Sequence, residues 1–328
     1  MKAERKQPLV VGIGELLWDL LPTGKQLGGA PGNFAHHANQ MGAHGVVVSS
    51  VGDDPAGVEI FHQLGSLGIP IETVSIHPSL PTGTVTVKLD AQGIPNYQIH
   101  ENVAWDDIIV NPAAVTAVAA ADAVIFGSLA QRSARSREAI LSLVKSAPAH
   151  ALRVFDINLR QHLFSRDIIE QSLRTADVLK LNDEELVFLG SLLDLRGNEQ
   201  QQLKQLLKTY ELKWVALTRG ARGSLLCSVD EFSDDPGIST KIVDSVGAGD
   251  AYTAYLTLGL LYHSNLDLIN RRANELAAFV CARAGATPVL PDSMKSWFEY
   301  SSVNVPRPNR FSEQQAHLPV QRANAQLS

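Results

Sequence analysis

Gly247-Ala-Gly-Asp250 places two glycines and a carboxylate where a short apolar run, Lys241-Ile-Val-Asp244, gives way to a long helical pattern. Glycines at a helix N-terminus leave bare backbone N–H groups facing outward, where the helix dipole also favours an anion. A carboxylate in the first turn is stabilised by the same dipole. Beside a phosphate cradle it is also placed to take a proton from a hydroxyl. Together these features point to phosphoryl transfer to an alcohol. The plainer alternative is helix punctuation, which fits most Gly-x-Gly-Asp strings. Lys241–Asp244 reads as the end of a strand, and the following helix as spanning about 247–262.

Open parallel sheets bind ligands beyond the carboxyl ends of their strands. Several polar residues are expected there: Asp19, Asp156 with Asn158 and Arg160, Asn182 with Glu185, and Thr218 ahead of Gly220-Ala-Arg-Gly223. Each has a modest alternative. Asp19 could cap a helix or turn, and Asp156-Ile-Asn158 could be turn chemistry. Asn182-Asp-Glu-Glu185 has the form of a capped helix start, and Gly220 with Gly223 could make a hairpin turn. His36-His37 and Trp105-Asp106 read as packing or surface features, because the histidines lack ligand spacing. Gly12-x-Gly14 is no dinucleotide fingerprint, since Leu17 stands where the third glycine belongs, and Pro22-Thr-Gly-Lys25 lacks the P-loop spacing.

The elements that must hold these groups follow from the apolar rhythm. Leu9–Ile13, 46–51, Ala123–Phe126, 153–157, 178–181 and Trp214–Thr218 read as buried strands. Helical patterns lie between or after them: one opened by Gly28–Asn33 and running to about Met41, and others at about 57–67, 135–144, 200–209 and 266–284. That alternation predicts an α/β fold, a central mostly parallel sheet flanked by helices. Between about 69 and 105 the period shortens to two, in Thr73–Ile76, Gly83–Leu89 and 96–100, with a turn at 90–93. Interrupting an α/β chain, this stretch reads as a small β lid. The expected organisation is one domain over 1–300, its lid formed mainly by about 15–28 and 70–105. A loosely held tail follows at 301–328.

Composition excludes some partners. With 28 Lys and Arg against 34 Asp and Glu, the formal charge is −6, so no electrostatic grip on nucleic acid or anionic lipid is expected. No run of about 18 apolar residues points to a membrane span. Met1–Pro8 has no apolar core of a secretory signal. The two cysteines, Cys227 and Cys281, form no ligand cluster and are expected as reduced thiols in a cytoplasmic protein.

Taken in order, these motifs resemble the ribokinase-like (PfkB-type) carbohydrate kinases, nearest the bacterial fructokinase-like members. The resemblance runs from about Leu9 to Pro291. It rests on Gly28-Gly-Ala-Pro-Gly-Asn33 and Asp244-Ser-Val-Gly-Ala-Gly-Asp250, with Pro81-Thr-Gly-Thr, Glu101-Asn-Val-Ala-Trp-Asp106, Gly127-Ser-Leu-Ala-Gln-Arg132, Asp156-Ile-Asn-Leu-Arg160 and Asn182-x-x-Glu185 between them. It implies an ATP-dependent sugar kinase, most simply a fructokinase. Asp250 would be the catalytic base, and Gly247, Ala248 and Gly249 the anion hole. Asp19, Gly29 and Asn33 would hold the sugar, with Asn158 and Arg160 at the sugar–phosphate junction. Asn182 and Glu185 would serve phosphate and Mg²⁺, with Glu185 on the metal side. Thr218, Gly220 and Gly223 would line the nucleotide, and Asn274 with Ala278 would face adenine. The resemblance also implies a homodimer through the lid and admits a monovalent cation such as K⁺. Ser245-Val246 in place of the commoner Thr-Thr, and Tyr252 in place of Phe, are departures that keep size and character. Kinases for another sugar, a riboside or a sugar acid such as 2-keto-3-deoxygluconate are the rivals, Arg132 and Arg160 being available cations. A sensor that binds sugar or nucleotide without turnover is the rival outside catalysis.

Overall fold

The computed structural model describes residues 7–21, 24–89 and 95–298. The first half of the chain runs β1 (Leu9–Ile13), β2 (Leu17–Leu21), β3 (Gly24–Gly28), α1 (Ala30–Gln40), β4 (His44–Gly52), α2 (Pro55–Ser66), β5 (Val74–His77), β6 (Gly83–Leu89), β7 (Pro95–Ile99), α3 (Pro112–Ala119), β8 (Ala123–Phe126) and α4 (Ala134–Ser146). It continues with β9 (Leu152–Asp156), α5 (Arg166–Thr175), β10 (Val178–Asn182), α6 (Asp183–Leu193), α7 (Glu199–Tyr210), β11 (Trp214–Thr218), β12 (Ser224–Cys227), β13 (Phe232–Asp235), α8 (Ala248–Leu261), α9 (Leu266–Cys281) and α10 (Asp292–Lys295).

Nine strands form one sheet in the order β13-β12-β11-β10-β9-β8-β1-β4-β5. Pairing is parallel except for the hairpins β11–β12 and β12–β13. Each central strand is apolar on both faces because both are covered. Val11, Ile13, Val124 and Phe126 face a core shared with Val118, Ile140, Ile169, Leu189 and Leu206 of α3 to α7. Their alternates Val10, Ala123 and Ile125 face Phe34, Leu256 and Ile269 of α1, α8 and α9. Residues 251–260 of α8 are all buried, so this helix lies inside the fold rather than on it.

A second sheet of four strands, β3-β2-β6-β7, stands apart. Its strands come from two separated stretches, joined by the parallel pairing of β2 with β6. Thr73–Ile76, expected in the lid, instead lies at β5, which pairs parallel with β4 at the edge of the large sheet. Period-2 alternation there marks a half-covered edge strand of the main sheet, a signal that does not say which sheet the strand joins. The expected strand ending at Asp244 is also absent: Ile242 and Val243 are exposed and carry no ladder. The Val243 and Asp244 N–H groups both reach the carbonyl of Cys281 at the end of α9, so the run follows a helix end rather than a sheet edge. The turn at 90–93 and the tail at 301–328 lie outside the described residues. No helix among the described residues is long and apolar enough to cross a membrane.

The small sheet is anchored where β7 returns to the core. Trp105 is fully buried, and the Arg132 guanidinium lies 4.0 Å from its ring. Arg132 donates to both oxygens of Asp106, at 2.7 and 2.9 Å, and to the carbonyl of His100 at 2.6 Å. Gly83, the first residue of β6, has no room for a Cβ beside the Trp105 indole. Arg132→Ala leaves the largely buried Asp106 carboxylate unpaired, and urea unfolding is expected to show a loss of about 2–4 kcal/mol. A loss below about 1 kcal/mol would mean that the clamp carries no structural weight.

Candidate active site

Gly29 and Gly247 end the loops that converge on the site. Gly29 caps α1 with φ +113, and a Cβ there would strike the carbonyl of Glu15. Gly247 caps α8 with φ +79, and a Cβ there would lie 2.6–2.7 Å from Ala286 atoms. Both positions need glycine for conformation and for space. The two helix starts meet through one bond. Asn33 Nδ2 in the first turn of α1 donates to Asp250 Oδ2 in the first turn of α8, at 2.8 Å. A helix leaves its first N–H groups without intrahelical acceptors. On α8 these belong to Ala248, Gly249 and Asp250; the first two, with Gly247, are the expected anion hole, and the Ala248 N–H also lies 3.4 Å from the carbonyl of Ser245.

Beneath this loop lies a buried charge pair. Lys180 on β10 places Nζ 3.1 Å from Asp156 Oδ1 at the end of β9. The Thr253 hydroxyl, one turn into α8, lies 2.8 Å from Asp156 Oδ2. A Cβ on Gly249 would lie 3.0 Å from the Lys180 ammonium. Burial works against the charge on Lys180, but Asp156, Glu185 and Asp250 together hold its pKa above the usual lysine value. Lys180 is missing from the sequence expectations, although a lysine inside the apolar run Val178-Leu-Lys-Leu181 was the available signal. Glu15 is also missing from them. It is buried between β1 and β2, and its Oε1 accepts the Ala30 N–H at 3.2 Å.

Desolvation raises three carboxylates around the cleft. Asp250 is pushed to about 6 by burial and by Asp156, against the Asn33 hydrogen bond, Lys180 and Arg160. Glu15 is pushed to about 7 by burial, with Asp250 adding to it. Asp19 is pushed to about 6 by burial, against Arg160. Arg160 is exposed on the loop after β9 and lowers all three. Asn158, with φ +41, borders the same cavity as Asp250. Asp19 does not lie at a strand end of the large sheet as expected. Gly14, at φ +154, turns the chain out of β1, and Asp19 falls inside β2 of the small sheet. A Cβ at Gly28 would collide with its carboxylate.

Next along the strand ends come the groups expected at the nucleotide. Asn182 and Thr218 are register partners at the ends of β10 and β11. Asn182 Oδ1 accepts the Glu185 N–H and Glu185 Oε2 the Asn182 N–H, both at 2.8 Å, a capping box. Glu185 Oε1 accepts the Leu159 N–H at 2.8 Å, so this one carboxylate also ties down the loop that carries Arg160. Burial raises its pKa, against the attraction of Lys180. Gly220 and Gly223 make the β11–β12 turn, where the Arg219 N–H donates to the carbonyl of Gly223 at 2.7 Å. Ala278 borders an open groove of about 750 Å³ together with Ile238, Thr240 and Phe279. Asn274 differs from expectation. It is buried, and its amide donates to Ser224 Oγ and Asp235 Oδ1, both at 2.8 Å, which locks α9 to β12 and β13.

His36 and His37 are buried packing residues, and no group of three or more His, Cys, Asp or Glu among the described residues could hold a metal ion. His37 is kept neutral, its pKa pushed down to about 3 by burial and by His36. Its Nε2 lies 2.9 Å from the carbonyl of Ala286. Gln40 holds the carbonyl of Pro288 at 3.0 Å and the N–H of Leu290 at 2.7 Å. One face of α1 therefore touches both Asp250 and the strap on which Gly247 rests.

Residues 22–293 match the model of the pfkB family carbohydrate kinases. The chain belongs to this family. It is a phosphotransferase acting on a sugar hydroxyl, with the ribokinase fold. An uncharacterized sugar kinase of Pyrococcus horikoshii is 29% identical over 88% of this chain and 95% of its own. Its crystal structure in complex with ATP superposes with a TM-score of 0.71, covering 85% of this chain and 94% of that one. A Klebsiella pneumoniae fructokinase is 28% identical over 85% of this chain and 95% of its own. The 2-dehydro-3-deoxygluconokinase of Thermotoga maritima shares the fold, with a TM-score of 0.75 at 18% identity over 89% of this chain and 98% of that one.

Two outcomes follow from the geometry. Gly247→Ala forces a Cβ into Ala286 and is expected to lower kcat about 10²-fold by displacing the amides behind it; activity within threefold of the parent would exclude that packing. Asp250 binds its proton more tightly folded than unfolded, so it costs stability progressively as pH rises from about 4 to about 6. Asp250→Asn removes that cost, and at pH 8 it is expected to be more stable than the parent by on the order of 2 kcal/mol. The gain should shrink toward pH 4, and a pH-independent difference would sink this account.

Proposed function

We propose that the protein is an ATP-dependent kinase of a neutral sugar, with D-fructose the leading substrate. The observation that carries the reading is the Asn33–Asp250 bond, which brings a carboxylate to the mouth of a glycine-capped helix. In this reading Asp250 takes the proton of the attacking hydroxyl, and the first amides of α8 hold the transferring phosphoryl oxygens. They are fixed before reaction, so they stabilise developing charge without reorganising. Asn33 keeps Asp250 aimed and favours its ionised form. Asp19 accepts hydrogen bonds from sugar hydroxyls, and Gly29 lets the chain pass close to the sugar. Asn158 and Arg160 close the sugar–phosphate side. Asn182, Thr218, Gly220 and Gly223 border the nucleotide, with Ala278 toward the base.

The residues fit a Mg²⁺ ion that arrives with the nucleotide, because such an ion is held by one or two carboxylates plus substrate phosphates rather than by an all-protein cage. Glu185 is the acid nearest that role. Both of its oxygens already accept backbone N–H groups, which suits contact through an intervening water. When bound, the ion would neutralise charge on the nucleotide phosphates.

Preference for a neutral sugar rests on the charges of the cleft. Asp19, Glu15 and Asp250 are all pushed toward the protonated state by burial. A carboxylate on the substrate would add to that burden. Arg132, one of the two cations that could have met a sugar acid, is held by Asp106 and His100 behind Trp105. The Klebsiella fructokinase supports the same choice. The Thermotoga enzyme keeps the sugar-acid reading in the test.

A coupled ADP-release assay over a sugar panel decides it. D-Fructose is expected to exceed 2-keto-3-deoxygluconate in kcat/KM by about 10² or more, the range that unpaired buried charge can command. The reverse order would overturn the neutral-sugar reading. Asp250→Asn is expected to lower kcat by about 10²–10⁴ with sugar and nucleotide binding retained. Turnover within a few-fold of the parent would remove Asp250 as the base.

A further inference from the structure

A small, partly enclosed cavity of about 20 Å³ is bordered by Glu15, Asp250, Asp156, Asn158, Ser128 and Thr253. One water needs roughly 10–15 Å³ and two or more polar partners. Ser128 is 1% exposed, and its hydroxyl finds no hydrogen-bond partner among the described residues. A buried hydroxyl without a partner is unfavourable, and a water in this cavity would satisfy it. Glu15 is 5% exposed and has no part in sugar or phosphate binding as proposed above. It reaches the cavity because Gly14 turns the chain between β1 and β2, and the Ala30 N–H holds its Oε1.

We infer that Glu15 is the second carrier of the reaction proton, receiving it from Asp250 through a water held by the Ser128 hydroxyl. This rests on the proposal that Asp250 is the base. As the sugar O–H bond breaks, its oxygen bonds to the γ-phosphorus and the bond from phosphorus to the departing diphosphate breaks. The proton passes to an Asp250 carboxylate oxygen. The cavity water accepts it and releases another to the Glu15 carboxylate, which becomes a carboxylic acid. Asp250 is thereby ionised again, and Glu15 yields its proton to solvent after product leaves.

The order of the two acids supports that direction, Glu15 at about 7 holding a proton more tightly than Asp250 at about 6. The other charged groups acting on the pair are Asp156 on β9, which raises Asp250, and Lys180 on β10, which lowers it. Arg160 above the cleft lowers both acids. Asp19 on β2 responds to burial and to Arg160.

Glu15→Gln tests the relay, because its amide oxygen can still accept the Ala30 N–H. With the sugar that the panel selects, kcat is expected to fall about tenfold while KM stays within twofold. The acid limb of the pH–kcat profile should also move to lower pH, because the relay needs Glu15 ionised to receive the proton and, without it, only Asp250 must be ionised. Ser128→Ala removes only the hydroxyl and carries the test should the first variant not fold. It should lower kcat severalfold, with KM unchanged and the acid limb in place. Unchanged kcat and an unmoved acid limb in Glu15→Gln, or an effect confined to KM, would overturn the relay; so would unchanged kcat in Ser128→Ala. Asp250→Asn, measured alongside, separates the two readings. If it is inactive while both relay variants match the parent, only the relay falls; if it turns over normally, the base assignment falls first.

Discussion

The bond between Asn33 and Asp250 joins residues 217 apart in the chain, and the rest of the site depends on it. It fixes the start of α1 against the start of α8, so the two glycine-capped helices present their N-termini to one cleft. Neither helix could be placed this way by local preference. α8 is apolar on every side and is positioned by being buried. α1 is positioned by a polar ladder, Asn33, His37 and Gln40, that grips Asp250 and the strap at 286–290. A neutral His37 suits that task, since a charged imidazole would be costly at full burial.

The site concentrates carboxylates in a place of limited hydration, and the fold offsets the cost in two ways. Lys180 lies under the loop, pairs with Asp156 and lowers Asp250, partly offsetting the rise that burial and Asp156 impose. Glu185 is held by two backbone N–H groups and so works as a joint between the ends of β9 and β10. A base close to neutral is the useful one for a proton transfer at physiological pH, since it is largely ionised yet still basic.

Much of this was legible in the sequence because glycine and acid positions are set by local constraints. Gly247–Asp250 and the Asn182–Glu185 box stand out by residue type and spacing, with helix punctuation as their plain alternative, whereas Asn33 was marked only by the family resemblance. The large sheet was legible too, since strands buried on both faces are unbroken apolar runs. What stayed hidden depends on neighbours distant in the chain. Lys180 acquires meaning only beside Asp156 on the adjacent strand, and Glu15 only once α1 folds back over it. Asn274 carried a polar side chain at the expected place, but Ser224 and Asp235 had already claimed its hydrogens. Lys241–Asp244 has strand-like composition, but its Val243 and Asp244 N–H groups are taken up by the end of α9, and Thr73–Ile76 has lid-like alternation with an edge of the large sheet waiting for it.

Only Gly14, Glu15 and Leu16 separate the last residue of β1 from the first of β2. The small sheet is thus hung from the large one by a short pivot that contains one of the buried acids. Glu15 is therefore positioned by both sheets at once, and so is the carboxyl that it holds against the Ala30 N–H. In the proposed reading, a sugar held by Asp19 on the small sheet would meet acids whose places the large sheet has already set.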